Sequence, residues 1–133
     1  MADPKIVGEW LQKADEDFHF ARSSLKESNY YAQICFHFHQ AAEKYLKAYI
    51  VAHDLEFEKT HNLIKLLSVC SSQNPEILSL MKECERLNTA YIDTRYPVHW
   101  PVDYTKEKAL HMKKDAERIQ ETITGLLEKD GYV

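Results

Sequence analysis

Tyr30-Tyr31-Ala32-Gln33-Ile34-Cys35-Phe36-His37-Phe38-His39-Gln40-Ala41-Ala42-Glu43-Lys44-Tyr45-Leu46-Lys47-Ala48-Tyr49 decides the fold. Its apolar positions Tyr31, Ile34, Cys35, Phe38, Ala41, Ala42, Tyr45, Leu46 and Tyr49 recur every three or four residues, the period of an α-helix. The arc is too wide for a surface helix, so the spacing predicts a central one from Tyr30 to about His53.

The flanks read the same way. Asp3-Pro4 is a cap followed by an N1 proline, and Val7, Leu11, Ala14, Phe18, Ala21 and Leu25 carry a first helix over 4–27. Thr60 is placed to cap a short helix lined by Leu63, Leu66, Leu67 and Cys70, ending near Ser72. Asn74-Pro75-Glu76 starts a fourth, with Ile77, Leu80, Met81, Cys84, Leu87 and Tyr91 inside. Periodicity stops from Ile92 to Tyr104, where Pro97 and Pro101 fall, and a loop of about 13 residues is long enough to suggest a function. Thr105 caps a last helix whose Ala109, Met112, Ala116, Ile119, Ile123, Leu126 and Leu127 keep the spacing up to Gly131. The expected architecture is all-α: one domain over 1–133, an up-and-down bundle of about five helices, four long and one short.

Composition agrees. Three glycines and four prolines leave little material for an all-β protein, and 44% hydrophobic with 29% charged residues suits a globular domain. A net charge of −4 argues against a general attraction for nucleic acid, so a site for RNA must be a local patch. Local charge is slightly more favourable from Tyr104 to Arg118, with five Lys/Arg against three acids. Cys35, Cys70 and Cys84 are widely spaced and form no C-x-x-C pair, so they read as reduced core thiols. No apolar run approaches the roughly 18–20 residues that span a bilayer, and the N-terminus lacks a signal segment; a cytoplasmic protein without membrane contact is expected.

The chemistry-bearing residues fall into three groups. His37 and His39 are about 200° apart on a helix and cannot share an ion. His39 and Glu43 share a face, but no second carboxylate-rich helix completes a di-iron set, so no metal and no cofactor are expected. The glycines form no phosphate-cradling loop. In the long loop, Arg95 and His99 are the pair that metal-independent RNA cleavage needs: a permanent cation for phosphorane-like charge and an imidazole to take a proton from a 2′-hydroxyl. Tyr96 and Trp100 beside them could stack on bases, and the same four residues also suit plain packing of the loop on the bundle. His61, with Lys59 at the start of the third helix, is placed either to bind a phosphate or to cap. Gln40, Lys44 and Lys47 share one side of the central helix, as site residues or as a solvated face.

Cys35 to Ala48, Lys59-Thr60-His61-Asn62-Leu63 and Tyr91-Ile92-Asp93-Thr94-Arg95-Tyr96-Pro97, in that order, resemble the HEPN domain, the higher eukaryote and prokaryote nucleotide-binding domain, over nearly the whole chain. The resemblance implies an HEPN-like bundle that usually forms a homodimer and partners a minimal nucleotidyltransferase, often as a toxin–antitoxin pair. Some members are metal-independent endoribonucleases that use an Arg and a His four to six residues apart and leave a 2′,3′-cyclic phosphate. Arg95 matches the arginine and His99 is the neighbouring histidine; here three residues separate them, Pro97 among them, and Pro101 stands where toxin members carry a modifiable tyrosine. The shortened spacing favours a nucleotide or phosphate site at Arg95, His99, His61, Lys59, Tyr96, Gln40 and Lys44 over cleavage. A non-catalytic module whose wide central-helix face dimerises or docks the transferase is the third alternative.

Overall fold

The computed structural model describes residues 2–95 and 103–132, with side chains for all of them except 92–95. Five α-helices follow one another: α1 Pro4–Glu27, α2 Tyr31–Ala52, α3 Leu63–Ser71, α4 Met81–Arg95 and α5 Lys106–Lys129, with a 3-10 stretch Pro75–Leu80 leading into α4. Among the described residues there is no strand, and the protein is an all-α helical bundle. The caps follow local chemistry. The Asp3 carboxylate accepts from the Lys5 N–H at 2.9 Å, and the Thr105 hydroxyl accepts from the Lys108 N–H at 3.1 Å.

Three boundaries differ from the sequence reading. Asn62, not Thr60, caps α3: its side-chain oxygen accepts from the N–H groups of Ile64 and Lys65, while Thr60 accepts from Asn62 in a turn just before. His61 therefore precedes the helix instead of opening it. Asn74-Pro75 starts a 3-10 turn, and α4 proper begins at Met81. Finally, α4 continues past Tyr91 to Arg95. Apolar periodicity ends at Tyr91, but backbone hydrogen bonds need no apolar side chain, and the first proline comes only at 97.

α2 is the hub and packs on α1, α3, α4 and α5. Fourteen of its 22 residues are buried, Phe38, Tyr45, Leu46 and Ile50 among them, so its wide apolar arc packs inside the bundle. Ala41 and Ala42, with no exposed surface, admit the neighbouring helices closely. Two ion pairs brace α4 to α5. Arg86 donates twice to Asp115, at 2.8 and 3.0 Å, and Arg118 donates to Glu83 at 2.8 Å. Among the described residues, no helix is long and apolar enough to cross a membrane.

Candidate functional site

Charged residues inside the apolar arc of α2 mark the site. Glu43 and Lys47, one helical turn apart, are buried, and Lys47 Nζ donates to Glu43 Oε2 at 2.9 Å. The other carboxylate oxygen, Oε1, accepts from Nδ1–H of His61 at 2.9 Å. Burial of an acid and an ammonium is tolerable here because each carboxylate oxygen has a donor and the ammonium has the carboxylate. The Lys47 ammonium also lies 5.6 Å from the centre of the Phe57 ring.

His61 sits in the connection between α2 and α3, which opens at Asp54 with a left-handed φ of 52°. His39 pins that connection from below: its Nε2–H donates to the His61 carbonyl at 2.9 Å, and its Nδ1 lies 3.3 Å from the Gln40 side-chain amide. Burial pushes the His39 imidazole below its ordinary value, against the opposing pull of the Glu43 carboxylate, so the ring stays neutral and keeps one donor and one acceptor. Tyr91 of α4 closes the other side. Its ring stacks on His61 with centroids 4.6 Å apart and planes at 22°, and it also meets His39 at 5.2 Å. Asn88, one turn earlier, accepts from the Leu63 N–H at 2.9 Å and donates to Asn62 at 3.0 Å, tying the start of α3 to α4.

These residues border a shallow cavity of about 330 Å³ lined by Lys59, Thr60, His61, Asn62, Asn88 and Tyr91. The His61 side chain is 47% exposed while that of its Glu43 partner is 6% exposed. A buried carboxylate thus fixes the tautomer and orientation of a half-exposed ring, whose Nε2 has no partner among the described residues. Such an imidazole can accept a proton or, once protonated, hold a phosphate oxygen. Lys59 adds a cation and Tyr91 an aromatic face.

The structure brings His61 and Lys59 together at this cavity. Gln40 stands one step behind it, on His39. Lys44 does not join: its ammonium pairs with Asp17 of α1. Arg95 is the last residue of α4, one turn beyond Tyr91, and its side chain lies outside the described residues. Tyr96 and His99 fall outside them altogether. Among the described residues, no three His, Cys, Asp or Glu side chains converge to hold a metal ion. Glu43, which the sequence offers only as a metal partner for His39, and Tyr91, Asn88 and Asn62 join the site through tertiary contacts. The signal available for Glu43 was an acid in the middle of an apolar arc, four residues from His39 and four from Lys47.

Residues 7–126 match the model of the HEPN domain family. A protein of Methanocaldococcus jannaschii that bears the name of a candidate toxin is 29% identical, over 90% of this chain and 87% of its own length. The crystal structure of an archaeal HEPN homologue superposes with a TM-score of 0.74 at 27% identity, covering 90% of this chain and 96% of that one.

Proposed function

The chain belongs to the HEPN domain family, and from that membership we propose that it binds a nucleotide or an RNA phosphate at the His61 cavity, as a cytoplasmic homodimer acting beside a minimal nucleotidyltransferase in a toxin–antitoxin pair. The observation that carries the ligand is the Glu43–His61–Tyr91 arrangement: an oriented, half-exposed imidazole between a buried carboxylate and an aromatic face, with Lys59 on the rim. Phosphate oxygens suit the imidazole and the ammonium, and a base suits the ring. Arg95 stands one turn beyond Tyr91 in the sequence of α4 and is the residue that the family resemblance assigns to the site. The toxin name of the Methanocaldococcus relative supports the toxin–antitoxin part of the reading.

Isothermal titration with nucleotides and short RNAs tests it. Binding weakened about tenfold or more by His61→Ala and by Arg95→Ala is the expected result; no binding, or binding indifferent to both, removes it. The same RNAs incubated in chelator report on cleavage. Products ending in a 2′,3′-cyclic phosphate that vanish in His99→Ala would make the protein a metal-independent endoribonuclease with Arg95 and His99 as the reacting pair.

A further inference from the structure

A second cavity lies on the other side of α4. It measures about 470 Å³ and is lined by Arg86, Thr89, Tyr104, Lys108, His111 and Met112, with Thr105 and Glu107 at its edge. Arg86 and Asn88 are two residues apart, about 200° around the helix, so this cavity and the His61 cavity open on opposite faces. We propose that it is a separate anion site, which takes a small phosphorylated ligand carrying a planar ring, of the size of a nucleoside monophosphate.

Arg86 supplies the fixed cation. Its Nε and Nη2 are held by Asp115, whose side chain is 4% exposed, while the Arg86 side chain is 42% exposed and its Nη1 has no partner among the described residues. A guanidinium held by a buried carboxylate has already lost its rotamer freedom, so it binds an oxyanion at a lower entropic cost than a free arginine. Bracing α4 to α5 accounts for the Arg86–Asp115 pair. It does not account for Lys108 and His111, both exposed, one turn apart on α5, and without an ion-pair partner among the described residues. Glu107 is the one carboxylate lining the cavity; Asp115 behind it offsets the charge of Arg86, and Lys108 and His111 are the groups left to balance an anion. In a chain of net charge −4, such a cluster is a local exception, and its Lys108 and His111 fall in the stretch from Tyr104 to Arg118.

The ring follows from the remaining walls. Tyr104 and Met112 give apolar surface, and the Lys108 ammonium lies over the Tyr104 ring, 5.8 Å from its centre, so a planar ring entering the cavity meets Met112 and the part of Tyr104 that the ammonium leaves uncovered. The volume lies within the roughly 300–1,000 Å³ of small-ligand pockets. The hydroxyls of Thr89 and Thr105 add neutral hydrogen-bonding groups along the wall.

The test is a ¹H–¹⁵N NMR titration of the full chain with AMP, alongside ribose 5-phosphate as a ring-free phosphate. AMP is expected to shift the amides of Thr89, Tyr104, Lys108 and His111. Lys108→Ala, at an exposed position that leaves the fold intact, should weaken that binding about tenfold, and ribose 5-phosphate should bind at least tenfold more weakly than AMP. His61→Ala should leave these shifts unchanged, which separates this site from the His61 cavity. Shifts confined to His61 and Tyr91, no shifts at all, or AMP binding unaltered by Lys108→Ala would overturn the proposal; equal affinity for ribose 5-phosphate would overturn the ring.

Discussion

Glu43 and His61 lie 18 residues apart in sequence and meet at 2.9 Å, carboxylate to Nδ1–H, with the acid buried and the imidazole half exposed. The direction of support is therefore fixed: the interior of α2 positions a surface ring.

Removing that support has a defined consequence. Glu43→Ala leaves Lys47 buried without its carboxylate, and loss of one partner of a buried pair costs about 3–5 kcal/mol. Urea unfolding should register that loss. Glu43→Gln, which keeps shape and one acceptor, should cost less while still weakening ligand binding at His61.

His39 should leave a pH signature. Burial holds its folded-state value below the ordinary 6.5, so the unfolded chain takes up a proton that the folded chain refuses. Its contribution to stability is complete above about 6.5 and is lost as pH falls from there toward the folded value. Denaturation midpoints measured from pH 7.5 down to 5 should fall less steeply in His39→Gln than in the wild type.

Lys44 is expected to act in the fold and not at the ligand. Its ammonium joins α2 to Asp17 of α1 at a site about a quarter exposed, so Lys44→Ala should cost on the order of 1 kcal/mol. Nucleotide affinity measured by titration calorimetry should stay within twofold of the wild type; a tenfold loss would return Lys44 to the site.

Gly8 and Gly125 sit inside α1 and α5, and a Cβ at either would meet nothing within 4 Å. Alanine has the higher helix propensity, so Gly8→Ala and Gly125→Ala should each stabilise the protein by about 0.5–1 kcal/mol. A rise in Tm for each variant checks this.

Cys35, Cys70 and Cys84 are buried, and burial pushes each thiol up to about 12. A thiol-specific reagent at pH 8 should label none of them in the native protein and all three in denaturant.

The helices were legible because their causes are local. The apolar spacing of Val7 to Leu25, the Asp3-Pro4 start and the Thr105 cap act within a few residues, and α1 and α5 begin where those signals stand. Boundaries are ambiguous in the sequence where two local signals compete. Thr60 and Asn62 both suit a cap, and packing chose Asn62, whose side chain also meets Asn88 from α4. In α4 the apolar pattern ends at Tyr91 and the helix at Arg95, because the two have different physical origins.

The site divides on the same line. By itself the sequence determined an all-α chain of the HEPN kind and a central α2, because periodicity, caps and motif order are properties of neighbouring residues. Only the tertiary structure decided that His61 is held by Glu43 and faced by Tyr91, that Lys44 belongs to α1 through Asp17, and that α4 carries a cavity on each side. Those contacts depend on how the helices rotate and pack against one another, and that rotation is set by the whole core at once, not by any segment of the chain.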